Sequence, residues 1–206
     1  MTKADAKTAR PDTKTQLLEA AKRVLLTEGY AGLSTRAIAA EADTQMSQIR
    51  YHFGSKEGLV LALFAYMNQQ LIDRQAATFT RSDLSIAEKW DKSCDYLDVD
   101  LASGYVGVLQ ELIAAGWSND TIGAAVRDAL KLWRALLTDL ARDFERRHGT
   151  LGPFTSEDVA ALGSAVFLGA EACILLGYED ESLPIRRALR RLGPVIAHFE
   201  AAKRED

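Results

Sequence analysis

The sequence predicts an all-α chain: a three-helix amino-terminal helix-turn-helix unit and a larger helical body, about nine helices in all. Three observations predict it. Apolar residues recur at helical spacing, as in Leu17, Leu18, Ala21, Val24 and Leu25. No stretch alternates apolar and polar residues as a half-buried strand does. Caps and breakers punctuate the chain at short intervals, chiefly Gly29, Gly54, Gly116 and the run from Gly149 to Pro153.

Each element follows from its own signals. Residues 1–12 read as a charged tail, and Pro11-Asp12-Thr13 opens the first helix, which Gly29 stops. Ser34 or Thr35 caps a short helix over 36–41. A turn at Asp43-Thr44 leads to a third helix over 45–52, ended by Gly54. Ser55 caps a fourth, reaching about Ala77. Ser82-Asp83 opens a helix to about Ala102, and Tyr105 to Ala115 forms another, closed by Gly116. Asn119-Asp120 caps a long helix over 121–148, with Val126, Leu130, Trp133, Leu137 and Leu140 on one face. Thr155 and Asp158 form a capping-box pair before a helix over 156–178. The last helix starts at Ser182-Leu183-Pro184, where proline is tolerated, and Gly193-Pro194 is expected to kink or split it.

Composition narrows the class. At 206 residues, 48% hydrophobic and 26% charged, the chain buries a substantial core. Its net charge is −4, but residues 1–60 hold nine basic against seven acidic residues, and the remainder 16 against 22. A mildly basic head on an acidic body suits contact with nucleic acid through one end. Cys94 and Cys173 lack metal-ligand spacing and read as buried free thiols in a reducing compartment. The polar amino terminus has no apolar run of a signal peptide. The most hydrophobic stretch, Val159 to Tyr178, contains Glu171 and reads as a buried helix and not a membrane span. A cytoplasmic protein without a membrane partner is expected.

The pair of short helices carries the chemistry. Leu25, Leu33, Ile38, Ala42, Ile49 and Phe53 are the natural core of a three-helix module. With Ile49 inward, Gln45, Met46, Ser47, Gln48, Arg50 and Tyr51 face outward. Arginine and glutamine make paired hydrogen bonds to guanine and adenine edges, and Met46 suits a thymine methyl. Thr35, Tyr51, His52 and Lys56 suit phosphates, Lys56 lying in the first turn of the following helix. The plainer alternative is a helical hairpin with a solvated polar face.

The run Leu33-Ser34-Thr35, Ile38-Ala39, Ala42 and above all Tyr51-His52-Phe53-x-Ser55-Lys56-Glu57-x-Leu59 resembles the TetR family of bacterial transcriptional regulators. The strong similarity covers about residues 15–65. The resemblance implies a helix-turn-helix DNA-binding domain over 13–60 and a ligand-binding and dimerisation domain over 61–206. It implies Gln45, Met46, Ser47, Gln48, Arg50 and Tyr51 as the groove-facing set, Arg36 as an extra base contact, and Thr35, His52 and Lys56 as phosphate contacts. Four residues depart from the family pattern. Asp43-Thr44 stands where Gly-Val is common, Gly58 where Glu is frequent, and Arg50 where an aromatic or small residue is frequent. The Gly58 change is expected to weaken the cap of the fourth helix.

The resemblance also implies a homodimer joined through its last two helices. Val159, Leu162, Val166, Ala170, Ile185, Leu189, Leu192 and Ile196 are the expected interface. The aromatic pocket candidates are Phe64, Trp90, Tyr105, Trp117, Trp133 and Phe167, with Tyr96 and Phe144 as further ring positions. Plain core packing is the alternative for each ring. Glu171, the only charge between Val159 and Tyr178, is expected to anchor a ligand's polar group or to pair with Arg127 or Arg134. The reading is a ligand-responsive regulator, a repressor that binds a palindromic double-stranded operator and is released by a hydrophobic small molecule. One rival is a non-inducible DNA-binding or adaptor protein whose body makes only protein contacts. A small helical enzyme is a remote rival, since no nucleophile motif, phosphate loop or metal-spaced cluster occurs. No cofactor is expected.

Overall fold

One buried apolar stripe per helix organises the chain into two units, Met1–Tyr66 and Met67–Asp206. The computed structural model describes residues 12–149 and 151–202; the expected tail, apart from Asp12, lies outside them. The described residues form nine helices and no strand.

The first unit holds α1 (Thr13–Gly32), α2 (Thr35–Glu41), α3 (Met46–Phe53) and the start of α4 (Lys56–Phe79). Asp12 Oδ1 accepts from the Thr15 N–H at 2.8 Å and caps α1. Gly29 takes a φ of 71°, which breaks the regular helix where its position predicts, and a short helical turn continues to Gly32. Ser34, and not Thr35, caps α2 through the Ala37 N–H. Asp43 has a φ of 49°, the left-handed turn residue between α2 and α3. Leu25, Leu33, Ile38 and Ile49 are buried together with Leu17, Leu63 and Phe64, whereas Ala42 and Phe53 are only partly covered.

Ser55 caps α4 by accepting from the Gly58 N–H at 3.0 Å. A Cβ at Gly58 would lie 2.2 Å from the Phe53 carbonyl oxygen. Gly58 has no side chain to complete a capping box with Ser55, and its missing Cβ lets the α3–α4 corner close tightly.

The second unit contains the rest of α4 with α5 (Ile86–Ala102), α6 (Tyr105–Gly116), α7 (Asp120–His148), α8 (Ser156–Leu175) and α9 (Ile185–Ala201). Helix α5 packs on α9, and α7 packs on both α6 and α8. The start of α5 differs from the expectation. Ser85 and Glu88 form a reciprocal capping box, and the Glu200 carboxylate accepts from the Ile86 and Ala87 N–H groups at 2.7 and 3.2 Å. This tertiary cap comes from 113 or more residues away and adds to the local box that starts the helix past Ser82. The Thr155–Asp158 capping box opens α8 as its spacing predicts.

Two further differences concern α8 and α9. Helix α8 ends at Leu175 and buries one face only, Ser156, Ala160, Ser164, Phe167 and Ala170. Val159, Leu162 and Val166 on the other face are exposed, so α8 is not a buried helix in the single chain. By length and composition it is the one helix among the described residues able to cross a membrane. Helix α9 runs unbroken through Pro194, because its apolar face is held against α5 on both sides of the proline. Of the two thiols, Cys94 is buried, which pushes its pKa up to about 11, and Cys173 is only partly buried.

The body buries a charge that periodicity does not reveal. Lys89, 1% exposed, lies 3.6 Å from Asp143, which also receives Arg146 and Arg147 at 3.0 and 2.8 Å. Removing one member of a buried pair strands the other. Asp143→Ala should therefore lower unfolding free energy by about 3 kcal/mol, and Lys89→Met by less than about 1 kcal/mol. Urea denaturation of both variants checks this, and equal losses would contradict the account.

Candidate nucleic-acid interface and body cavity

Ile49 determines which residues α3 shows to solvent. It is 1% exposed, and α3 rests on α1 and α2. A helix whose fourth residue points inward must turn its neighbours along the chain outward. Gln45, Met46, Ser47 and Arg50 are accordingly exposed, Tyr51 is 82% exposed, and Gln48 and His52 are half-buried. Gln45 stands at the amino-terminal cap without a side-chain cap bond, and its Oε1 accepts from the Ser47 hydroxyl at 3.4 Å. Tyr51 meets His52 edge-on at 4.9 Å.

Three cations come from three different helices: Arg36 on α2, Arg50 on α3 and Lys56 on α4. All are exposed, and none joins an ion pair among the described residues. By contrast, Arg23 is committed to Glu41 at 2.5 Å. Thr35, Met46, Arg50 and Lys56 line one shallow groove with Gly54 and Ser55. The groove thus gathers unpaired cations, a hydroxyl and an apolar side chain, which suits phosphate oxygens beside base edges.

The body encloses a second candidate site, a cavity of about 30 Å³ walled by α4 to α8. Tyr105, Trp133, Phe167 and Glu171 line it, as do Gln75, Ser93 and Asp100. Two expected ligand contacts are corrected. Phe64 is buried in the amino-terminal unit, and Trp117 is 83% exposed at the end of α6. Trp90 stands behind Phe167 at 5.5 Å and donates its Nε1–H to the Leu189 carbonyl at 2.7 Å. It lines a different, apolar cleft of about 200 Å³ with Phe144, Val159, Ile196 and Phe199.

Gln75 and Asp100 escaped the sequence reading. The available signal was a polar residue in step with an apolar stripe, Gln75 four after Leu71 and Asp100 three after Leu97.

Glu171 pairs with neither Arg127 nor Arg134. The Gln110 Nε2 donates to it at 3.5 Å and to the Leu168 carbonyl at 3.3 Å. Burial, then the neighbouring Asp100 charge, pushes the Glu171 pKa up to about 7 against the Gln110 hydrogen bond. Asp100 is held by Arg74 at 2.5 Å, and burial still raises its pKa. Burial likewise raises that of Tyr105, whose hydroxyl donates to Asn68 Oδ1 at 2.8 Å.

The expected interface residues also divide. Leu162, 55% exposed, joins Val159, Val166 and Leu192 on an open apolar face, with Val195 and Phe199 beside them. Ala170 and Leu189 are instead in the protomer's own core, next to Cys94, Leu97 and Phe167. Ile185 packs partly against that core and Ile196 lines the apolar cleft.

Glu171 makes stability depend on pH. The folded chain keeps a proton that the unfolded chain releases, so this contribution is full below about pH 4.5 and is lost as pH rises to about 7. The loss is about 3 kcal/mol. Glu171→Gln should remove that slope and stabilise the protein above pH 7. Urea melts at pH 5 and 8 measure it; a parent-minus-variant difference that is the same at both values would refute the assignment.

Comparison with known proteins agrees with this geometry. Residues 17–63 match the family model described as bacterial regulatory proteins, tetR family. No curated protein matches the chain. Solved structures share its fold. A TetR transcriptional regulator from Legionella pneumophila is 19% identical over 89% of this chain and 98% of the other, with a TM-score of 0.72. A TetR transcription regulator from Haloarcula marismortui ATCC 43049 is 17% identical over 93% and 98%, with a TM-score of 0.72. A Saccharomonospora viridis protein solved in complex with choline is 21% identical over 88% and 95%, with a TM-score of 0.73. Residues 17–63 therefore match the TetR family's amino-terminal regulatory domain, and about nine-tenths of the chain shares the fold of solved TetR regulators.

Proposed function

We propose that this chain is a ligand-responsive repressor that binds a palindromic operator as a homodimer. The observation that carries the proposal is the α3 surface, where Gln45, Gln48 and Arg50 stand outward over the buried Ile49 within the family-matched segment. In this reading Gln45, Met46, Ser47, Gln48, Arg50 and Tyr51 enter the major groove, and Arg36 makes an additional base contact. Thr35, His52 and Lys56 hold phosphates, so they set register without reading sequence. The DNA-binding domain is 13–60 and the remainder, 61–206, binds effector and partner.

A dimer follows from the arithmetic of recognition, since one short helix reads too few base pairs and a two-fold pair reads two half-sites. The open apolar face of α8 and α9 supports it, being unusual for a surface that stays in water. A small molecule held in the body, with a largely apolar frame, favours one body shape over another and so alters the spacing of the two reading helices. The apolar lining of the body cavity supports this, as does the choline held by a neighbour in fold.

Arg50→Ala and Gln48→Ala should each weaken operator binding by about 1–3 kcal/mol and relax specificity at one base pair. Lys56→Ala should weaken binding to all sequences and flatten the salt dependence. Footprinting on genomic fragments, then mobility shifts with the variants, tests the assignments; unaltered affinity in both α3 variants would refute base reading by α3. Leu162→Glu with Leu192→Glu should give a folded monomer by light scattering and circular dichroism. A dimer that survives both changes would exclude this face.

A further inference from the structure

The body cavity has a single chemical bias. Its uncommitted polar groups accept hydrogen bonds, and its unbalanced charge is negative. Among the described residues Glu171 has no cationic partner, and its side-chain hydrogen bond is the long one from the Gln110 amide. Gln75, only 4% exposed, leaves its Oε1 without a hydrogen-bond partner in the same wall. Gln75 is buried and Glu171 largely withdrawn from solvent, at a cost that an interior normally offsets with a partner.

The internal cation Arg74 answers Asp100 through its Nη2, while its buried Nε has no partner. Its guanidinium carbon sits 4.6 Å from the centre of the Tyr96 ring. In the same lining, Trp133 and Phe167 stand edge to face with centroids 5.9 Å apart, offering aromatic surface to a positive charge.

We propose that this cavity recognises the ammonium group of a small primary amine, held by Glu171 and the Gln75 carbonyl oxygen against Trp133 and Phe167. The proposal rests on the reading of the body as an effector domain and adds the chemical class of the effector. An anion would face the Glu171 carboxylate. A neutral hydrocarbon would leave both acceptors unsatisfied. A primary ammonium has three donors and one positive charge, which meets both needs. The cavity volume of about 30 Å³ suits this slender head better than a bulky quaternary one.

The test is calorimetric titration of the full chain, free of DNA, with butylammonium, 1-butanol, butyrate and tetramethylammonium. Butylammonium should bind at least tenfold more tightly than the other three. Glu171→Gln should weaken it at least tenfold, Gln75→Leu several-fold, and Glu171→Asp less than Glu171→Gln. Circular dichroism and urea melts verify that each variant is folded, and the Gln variant at 171 is expected to be the more stable protein. Equal binding of 1-butanol, or undiminished affinity in folded Glu171→Gln, overturns the proposal; equal binding of tetramethylammonium overturns the restriction to primary amines. A separate mobility shift keeps the two readings apart. Amine binding without any change in operator affinity supports this site and defeats its regulatory role, whereas a protected operator with no amine binding defeats this site alone.

Discussion

Burial of Ile49 is the contact on which the recognition surface depends. A helix of eight residues has too few hydrogen bonds to persist alone, so α3 exists because α1 and α2 give its one fully buried side chain somewhere to go. That same contact sets the rotation of the helix about its axis. Arg50 and the glutamines point outward as a consequence, not through any interaction of their own. The left-handed Asp43 before α3 and Gly54 after it set the ends, leaving no slack to re-aim the helix.

The body treats charge in its interior in two ways. Lys89 and Asp143 neutralise each other across α5 and α7, with two arginines completing the carboxylate. Arg74 and Asp100 do the same across α4 and α5. Glu171 is different, since it faces the same interior with an amide where the others have a counter-charge. A charge that destabilises the folded chain and has no internal partner is explained most economically by a partner that arrives from outside. Stability and recognition are then opposed at one atom pair.

Helix α8 links the interior to the outer face. Its inner row, Ala160, Ser164, Phe167 and Ala170, packs against the protomer. Glu171 follows Ala170 in the chain, one step around the helix, and lines the cavity. Its outer row, Val159, Leu162 and Val166, is left open. A ligand that shifts the inner row must move the outer row with it, because a helix transmits rotation and translation as a rigid rod. Cavity and proposed dimer face are therefore mechanically one element.

The helical class, the breaks at Gly29 and Gly54, the Thr155–Asp158 cap and the outward set on α3 were all readable from the chain, because each rests on interactions within a few residues. Local rules failed where distant residues intervened. Glu200 adds a distant cap to the local Ser85–Glu88 box that starts α5, and packing against α5 carried α9 through Pro194. Aromatic identity alone did not separate Trp133, which lines the cavity, from Trp117, which stands in water, or from Phe64, which is core. Likewise Ala170 and Leu189 share the apolar character of Leu162 and Leu192, yet only the packing of α8 and α9 against their neighbours shows which pair is turned inward. By itself the sequence determined helix identity, most helix ends and the chemistry of the reading face, since these follow from spacing and capping. Tertiary structure alone decided which polar groups are buried without partners, since that depends on what five helices bring to a common centre.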